Sequence, residues 1–186
     1  MVLFLAMTHL NIEIKARHND PDFVREYLKK NNADFKGVDQ QVDTYFNVTN
    51  GRLKLREGNI ENNLIYYKRT DESKAKESHF QLVNIPDSKA LKELLTQSMG
   101  IKIVVEKKRE IYFIGNVKFH IDDVVGLGSF MEIEASNMHD EISRDRLQEQ
   151  CDFYIGEFGM KDEDLIAFSY SDMLLGKDDV IGVELF

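Results

Sequence analysis

The chain has 186 residues, of which 42% are hydrophobic and 31% are charged, and its formal net charge is −9. These values are typical of one globular domain with its own core, and they exclude a disordered or collagen-like chain. The single cysteine excludes an internal disulfide framework and a multi-cysteine metal site, and the acidic balance argues against nucleic acid or an anionic membrane as a partner.

The start of the chain is apolar over residues 1–7 but lacks the basic region of a signal peptide. We therefore expect residues 1–8 to be a short extension, with Met1 or Met7 as the true start. No stretch approaches the roughly 20 apolar residues of a membrane span. With one cysteine, Cys151, in an apolar helical pattern, the chain suits the reducing cytoplasm.

The first predicted element is a strand over residues 9–17. Its odd positions are polar and its even positions are apolar, as in Glu13 and Lys15 against Ile12 and Ile14. Side chains on a strand alternate between two faces, so this segment has one polar and one apolar face. A helix follows from Pro21, capped by Asn19 or Asp20, and fades by residues 30–32.

The rest of the chain continues the strand pattern, interrupted by helices. Residues 43–46 precede a turn at 49–51, and we predict strands at 52–56, 64–70 and 78–84, with a loop at 71–77. A helix from Pro86 to about residue 99 ends at Gly100. Four strand-like runs follow at 103–105, 111–114, 117–123 and 129–136, and then a helix at 143–158 and a shorter one from Asp162. Residues 176–186 have no interpretable pattern and form a predicted tail.

Charged residues crowd the polar faces of these strands. Arg52, Lys54 and Arg56 share one face, about 6.6–6.8 Å apart, where like charges repel one another. An ordinary sheet with one face in water also alternates, and it is the alternative interpretation. The crowding favours a closed sheet whose faces meet in one lumen, with these bases and acids inside it: Lys15, Arg17, Arg52, Lys54, Arg56, Lys68, Lys107, Arg109, Lys118, Glu13, Asp122, Glu132 and Glu134.

A polyphosphate with bound Mg²⁺ or Mn²⁺ would relieve both kinds of repulsion. Lys and Arg bind phosphate oxygens through charge-assisted hydrogen bonds. Carboxylate oxygens suit Mg²⁺ and Mn²⁺, which bridge to phosphates.

Two further side chains have predicted positions. We expect His120 to line the lumen as a polar side chain, and Tyr170 to be a core residue rather than one that stacks on a base.

The order of several short motifs resembles the CYTH family, which contains class IV adenylate cyclases and thiamine and inorganic triphosphatases. Asn-Ile-Glu-Ile-Lys at 11–15 is similar to the family's opening Glu-x-Glu-x-Lys strand. Matching blocks follow at 43–46, 53–56, Lys68, 107–109, Asp122 and 126–134. The segments 11–17 and 169–175 resemble the class IV adenylate cyclase branch in particular.

The resemblance implies an α+β fold in one domain over residues 9–175: a closed antiparallel β-tunnel of about eight strands, with helices packed outside. It implies metal ligands at Glu13, Asp122, Glu132 and Glu134, and catalytic roles for Lys15, Arg56 and Glu134. It also implies a triphosphate site, made by Lys15, Arg17, Lys54, Arg56, Lys68, Lys107 and Arg109. One departure stands out, because Asn11 replaces the motif's first Glu and would weaken a second metal site.

The implied activity is the Mg²⁺- or Mn²⁺-dependent conversion of ATP to cyclic AMP and pyrophosphate. Two alternatives stay open, namely hydrolysis of an organic or inorganic triphosphate and a polyphosphate-binding module without catalysis. The expected partner is a nucleoside triphosphate or another triphosphate. The sequence leaves the recognised organic group and the oligomeric state open, with a homodimer among the alternatives.

Overall fold

The structure is a computed structural model that describes residues 9–17, 20–69, 76–138 and 141–176. Within these residues the chain forms eight strands and four α-helices. The strands are β1 (His9–Ala16), β2 (Asp34–Phe46), β3 (Arg52–Glu57), β4 (Asn63–Arg69), β5 (Lys76–Asn84), β6 (Ile101–Ile114), β7 (Val117–Val124) and β8 (Gly128–Ser136). The helices are α1 (Pro21–Lys30), α2 (Lys89–Met99), α3 (Arg144–Glu157) and α4 (Tyr170–Leu174), with a 3₁₀ turn at Asp162–Asp164.

The strands close into one barrel in the order β1-β5-β4-β3-β2-β6-β7-β8, and every neighbouring pair is antiparallel. Closure joins β1 to both β5 and β8, so no strand edge stays unpaired in the sheet. The α+β fold with a closed antiparallel tunnel is confirmed.

The largest hydrophobic core lies outside the barrel. The apolar faces of β1, β7 and β8 pack there against α1 and α3, with residues such as Ile12, Phe119 and Ile133 fully buried. Cys151 of α3 belongs to this core, and its thiol lies 3.4 Å from the carbonyl oxygen of Ile12. Because the apolar side of each strand is used outside, the polar side faces inward. Among the described residues, no helix is long and apolar enough to cross a membrane.

Some element boundaries differ from the prediction. β2 (Asp34–Phe46) is a strand that the sequence pattern does not predict, and β6 is one strand of 14 residues rather than two short runs. Both strands carry polar side chains on both faces over several residues, because their outer faces there reach solvent, and the alternation is lost. The helical stretch near Asp162 is only a 3₁₀ turn, and α4 follows separately. Residues 1–8 and 177–186 and most of the 71–77 loop lie outside the described residues.

α4 closes one end of the tunnel. The Ser169 hydroxyl caps its first turn by accepting from the backbone N–H of Asp172 at 3.1 Å. Arg52 of β3 ties the helix to the barrel, since its Nη2 lies 2.8 Å from Asp172 Oδ2. Tyr170 and Met173 pack inward against Phe130 in a second apolar cluster. α4 therefore covers one end of the charged lumen.

Candidate active site inside the tunnel

The lumen holds a cavity of about 140 Å³. Six basic and five acidic side chains line it. Because the whole chain has a net charge of −9, this concentration of cations is a local property of the inward faces. The basic lining residues are Lys15, Lys54, Arg56, Lys107, Arg109 and Lys118, and the acidic ones are Glu13, Asp43, Glu61, Glu132 and Glu134.

Asp43 is the centre of one ion cluster. Its carboxylate accepts from Arg56 Nε at 2.8 Å and Arg56 Nη2 at 2.9 Å, and also from Lys54 Nζ at 2.9 Å and Lys107 Nζ at 2.8 Å. Burial alone would raise the pKa of Asp43, but Arg56, Lys107 and Lys54 hold it well below its usual range. One buried carboxylate thus serves three basic side chains, and Arg56 has a second partner in Glu61 at 2.8 Å.

Arg109 organises a second cluster, with partners on β7 and β8. Its guanidinium donates to both carboxylate oxygens of Asp122, at 2.7 and 2.5 Å, and to Glu132 Oε2 at 2.6 Å. Lys15 Nζ lies 2.8 Å from the other oxygen of Glu132 and 3.9 Å from the centre of the Tyr170 ring. The Tyr170 hydroxyl donates to Asp122 at 2.8 Å. α4 therefore takes part in the charged lumen as well as closing it.

Burial lowers the pKa of two basic side chains in the lumen. It lowers the pKa of Lys107 to about 7, because desolvation and the neighbouring Arg56 and Arg109 outweigh the contact with Asp43. It also lowers the pKa of His120 to about 3, with Arg109 acting in the same direction. His120 is thus a neutral side chain whose Nδ1 lies 3.1 Å from Glu132, which confirms its placement on the inner face.

Glu13 and Glu134 form the pair that suits a divalent cation best. They lie directly opposite each other on β1 and β8, and both line the cavity. Burial raises the pKa of Glu134, and the like charges of Glu13 and Glu132 raise it further. A bound Mg²⁺ or Mn²⁺ would relieve that repulsion, so this donor pair fits such an ion. The described residues contain no group of three or more His, Cys, Asp or Glu side chains placed to hold a metal, so further ligands must come from the substrate or solvent.

The structure brings most of the predicted residues together but not all. Lys15, Lys54, Arg56, Lys107, Arg109, Glu13, Glu132 and Glu134 line the cavity. Lys68 is exposed, because it is Tyr67 that faces inward on β4, and the prediction that Lys68 lines the lumen is wrong. Arg17 is exposed just beyond β1, with its guanidinium 4.9 Å from the Phe130 ring. Asp122 is buried and engaged by Arg109 rather than grouped with Glu13 and Glu134.

Asn11 also faces the cavity. It is buried, and its Oδ1 has no hydrogen-bond partner within the described part of the chain. It stands one inward position from Glu13 on β1, as the strand alternation predicts. Its effect on a second metal ion stays a prediction.

Sequence reasoning missed Asp43 and Glu61 as site residues and assigned Tyr170 to the core alone. Asp43 could have been found, because Asp39, Gln41 and Asp43 continue the inward alternation of β2. Glu61 lies on a loop, and nothing in the sequence pattern indicates that its side chain enters the lumen.

The CYTH domain model matches residues 9–170, which is most of the chain. The chain belongs to the CYTH domain family. This agrees with the closed tunnel and with the inward placement of the charged residues, and it confirms the resemblance drawn from the sequence.

Individual proteins are also similar to this chain. The protein named "Putative adenylate cyclase MJ0240" of Methanocaldococcus jannaschii is 29% identical over 176 residues, covering 88% of this CYTH chain and 98% of that protein. The solved structure of the PH1012 protein from Pyrococcus horikoshii OT3 is 26% identical with a TM-score of 0.74, covering 87% and 98% of the two chains. HpAC1 of Hippeastrum, described as a putative adenylyl cyclase with a dominant triphosphatase activity, has a TM-score of 0.63 at 12% identity, covering 93% and 96%, and shares the fold.

Proposed function

We propose that this CYTH protein binds a nucleoside triphosphate in its tunnel and converts ATP to cyclic AMP and pyrophosphate with the help of Mg²⁺ or Mn²⁺. The observation that carries the proposal is the convergence of six basic side chains on one lumen, beside the pair Glu13 and Glu134. An ordinary solvated sheet offers no reason to bury these side chains. Lys15, Lys107 and Arg109 each expose only 3–4% of their surface.

The balance of charge in the lumen supports a role for a metal ion. Five acidic side chains stand beside the six basic ones, so the cavity alone offers little net positive charge to a triphosphate. Glu13 and Glu134 are the residues that would hold Mg²⁺ or Mn²⁺, together with phosphate oxygens. When bound, such an ion neutralises phosphate charge and polarises the attacking hydroxyl group.

The uncharged wall of the cavity favours a triphosphate that carries an organic group. Inward side chains of β4 and β5 form it, with Ile65 on β4 and Phe80 and Leu82 on β5. Apolar and aromatic side chains gain free energy by covering a base or a sugar, whereas they offer nothing to inorganic phosphate. This wall is the reason for preferring a nucleotide to inorganic triphosphate.

The basic residues would act by binding and by stabilising charge. Arg56 and Arg109 have forked guanidinium groups that match phosphate oxygens, and Lys15 adds a compact charge near Tyr170. In the proposed reaction the ribose 3′-hydroxyl attacks the α-phosphorus, and pyrophosphate leaves with additional negative charge. Donors already fixed in a buried cavity stabilise that charge without reorganising. Glu134 lines the cavity opposite Glu13, which supports its proposed role in holding the metal ion.

The proposal is tested by identifying products. The purified protein is incubated with ATP, thiamine triphosphate and tripolyphosphate, each with Mg²⁺ and separately with Mn²⁺, and the products are analysed by mass. We expect cyclic AMP and pyrophosphate from ATP. Arg109→Ala should reduce the rate by at least about a hundredfold, as for other losses of charge-stabilising donors.

Two results would contradict the cyclase proposal. ADP or AMP with orthophosphate from ATP, without cyclic AMP, would show a triphosphatase that uses the same cavity. Binding of all three compounds without any product would show a polyphosphate-binding module. Lys108→Ala is the matched control, because Lys108 lies next to Lys107 on β6 but is exposed on the outer face.

A further inference from the structure

The loop over residues 58–62 places a carboxylate inside the tunnel. This loop joins β3 to β4, and Glu61 points from it into the cavity. One Glu61 oxygen accepts from Arg56 Nη1 at 2.8 Å and from Gln41 Nε2 at 3.1 Å, and the other pairs with Lys118 Nζ. The proposed reaction has no use for an acidic group among phosphate-binding cations, so its presence needs an explanation.

A buried network fixes the position of Glu61. Asp39 of β2 is fully buried, and its carboxylate accepts from the backbone N–H of Ile60 at 2.9 Å and of Glu61 at 3.0 Å. A side chain at Gly58 would collide with this carboxylate, since a Cβ there would lie 2.6 Å from Asp39 Oδ1. Backbone contacts of this kind hold the loop in one conformation, so Glu61 is built into the lumen rather than swung in from solvent.

Glu61 lies at the end of the lumen opposite to α4. Lys118, its partner, is opposite Phe113 in the β6–β7 pairing, next to the turn that joins those strands. Lys107 and Arg109 lie nearer the α4 end of the same pair of strands. A phosphate chain bound by Lys107 and Arg109, the cations nearer α4, would therefore meet Glu61 with the phosphate group farthest from α4.

We propose that Glu61 limits the number of phosphate groups that the tunnel accepts. Its fixed charge occupies Lys118 and one arm of Arg56, and it repels a phosphate that extends beyond the cations nearer α4. Like charges in a cavity of low polarity repel strongly, and a repulsive element of this kind is a common source of specificity. The inference rests on the proposed binding of triphosphate in the tunnel.

The test compares tripolyphosphate with tetrapolyphosphate by calorimetric titration in the presence of Mg²⁺. Wild-type protein should bind tripolyphosphate more tightly. Glu61→Gln should raise the affinity for tetrapolyphosphate about tenfold more than the affinity for tripolyphosphate, because the repelling charge is gone. Glu61→Asp keeps the charge and should keep the wild-type preference. The control is Glu110→Gln, which removes a carboxylate ion-paired to Arg25 outside the barrel and should leave the preference unchanged.

The outcomes separate this inference from the proposed function. If wild type binds tripolyphosphate but Glu61→Gln has the same ratio of affinities, Glu61 does not limit chain length, and the proposed binding stands. If Glu61→Gln raises both affinities equally, the limit is also disproved. If wild-type protein binds neither compound, the proposed function fails and the inference fails with it. Circular dichroism spectra confirm that each variant is folded.

Discussion

Replacing Asp43 with asparagine is expected to lower the free energy of unfolding of the unliganded protein by about 3–5 kcal/mol. The change keeps the shape of the side chain but removes the negative charge that Arg56, Lys54 and Lys107 share. Buried cations without a partner are costly because they have lost their water. For a domain of this size the midpoint of thermal unfolding should fall by about 10 °C.

A matched control separates this effect from the chemistry of the substitution. Asp123→Asn makes the same change on the exposed outer face of β7 and should shift the midpoint by no more than about 1–2 °C. Tripolyphosphate should restore much of the stability lost in Asp43→Asn, because phosphate oxygens can take the place of the missing carboxylate. If Asp43→Asn has the same unfolding midpoint as Asp123→Asn, the three cations do not need the charge of Asp43 for the stability of the fold.

Substitution within the Glu13 and Glu134 pair should reduce catalysis more than any other change. Changing Glu134 to glutamine is expected to reduce turnover by at least about a hundredfold and to raise the concentration of Mg²⁺ or Mn²⁺ needed for half-maximal rate. The fold should be retained, because the substitution also relieves repulsion among Glu134, Glu13 and Glu132. Turnover at several metal concentrations and a thermal midpoint together check both statements.

The matched control for this experiment is Glu106→Gln. Glu106 is exposed on the outer face of β6, so the same change there should leave turnover and metal dependence unaltered. Loss of turnover in Glu134→Gln without any change in metal dependence would contradict a metal-binding role. Full activity in Glu134→Gln would remove this residue from the site.

The sequence was most informative where one strand face is covered by helices. β1 and β7 alternate cleanly, because Ile12 and Phe119 pack outside while Glu13 and Lys118 face inward. In such strands the period of two identifies the inner face without a structure. The crowding of like charges on the inner faces favoured a closed sheet, and the resemblance to the CYTH family implied the tunnel.

The alternating pattern did not identify the inner face of a strand where the residues on its two faces are of similar type. On β4, Tyr66 and Tyr67 precede Lys68, so the pattern there cannot show which of two adjacent residues faces inward. Tyr67 does, and Lys68 reaches solvent. Glu61 escaped notice for a different reason, since it enters the lumen from a loop whose conformation depends on contacts with Asp39, 22 residues earlier. Contacts between distant residues of this kind have no local sequence signal.

The central claim is that the buried cations of the tunnel form a triphosphate site. The most direct measurement is the thermal unfolding midpoint of the wild-type protein with and without millimolar tripolyphosphate and Mg²⁺. At about a hundred times the dissociation constant, binding adds about 2.7 kcal/mol to the stability of the folded state, and the midpoint should rise by about 5–10 °C. Arg56→Ala should lose most of this increase. An unchanged midpoint in the wild-type protein would contradict the claim, because it would show that the charged inner faces do not bind triphosphate.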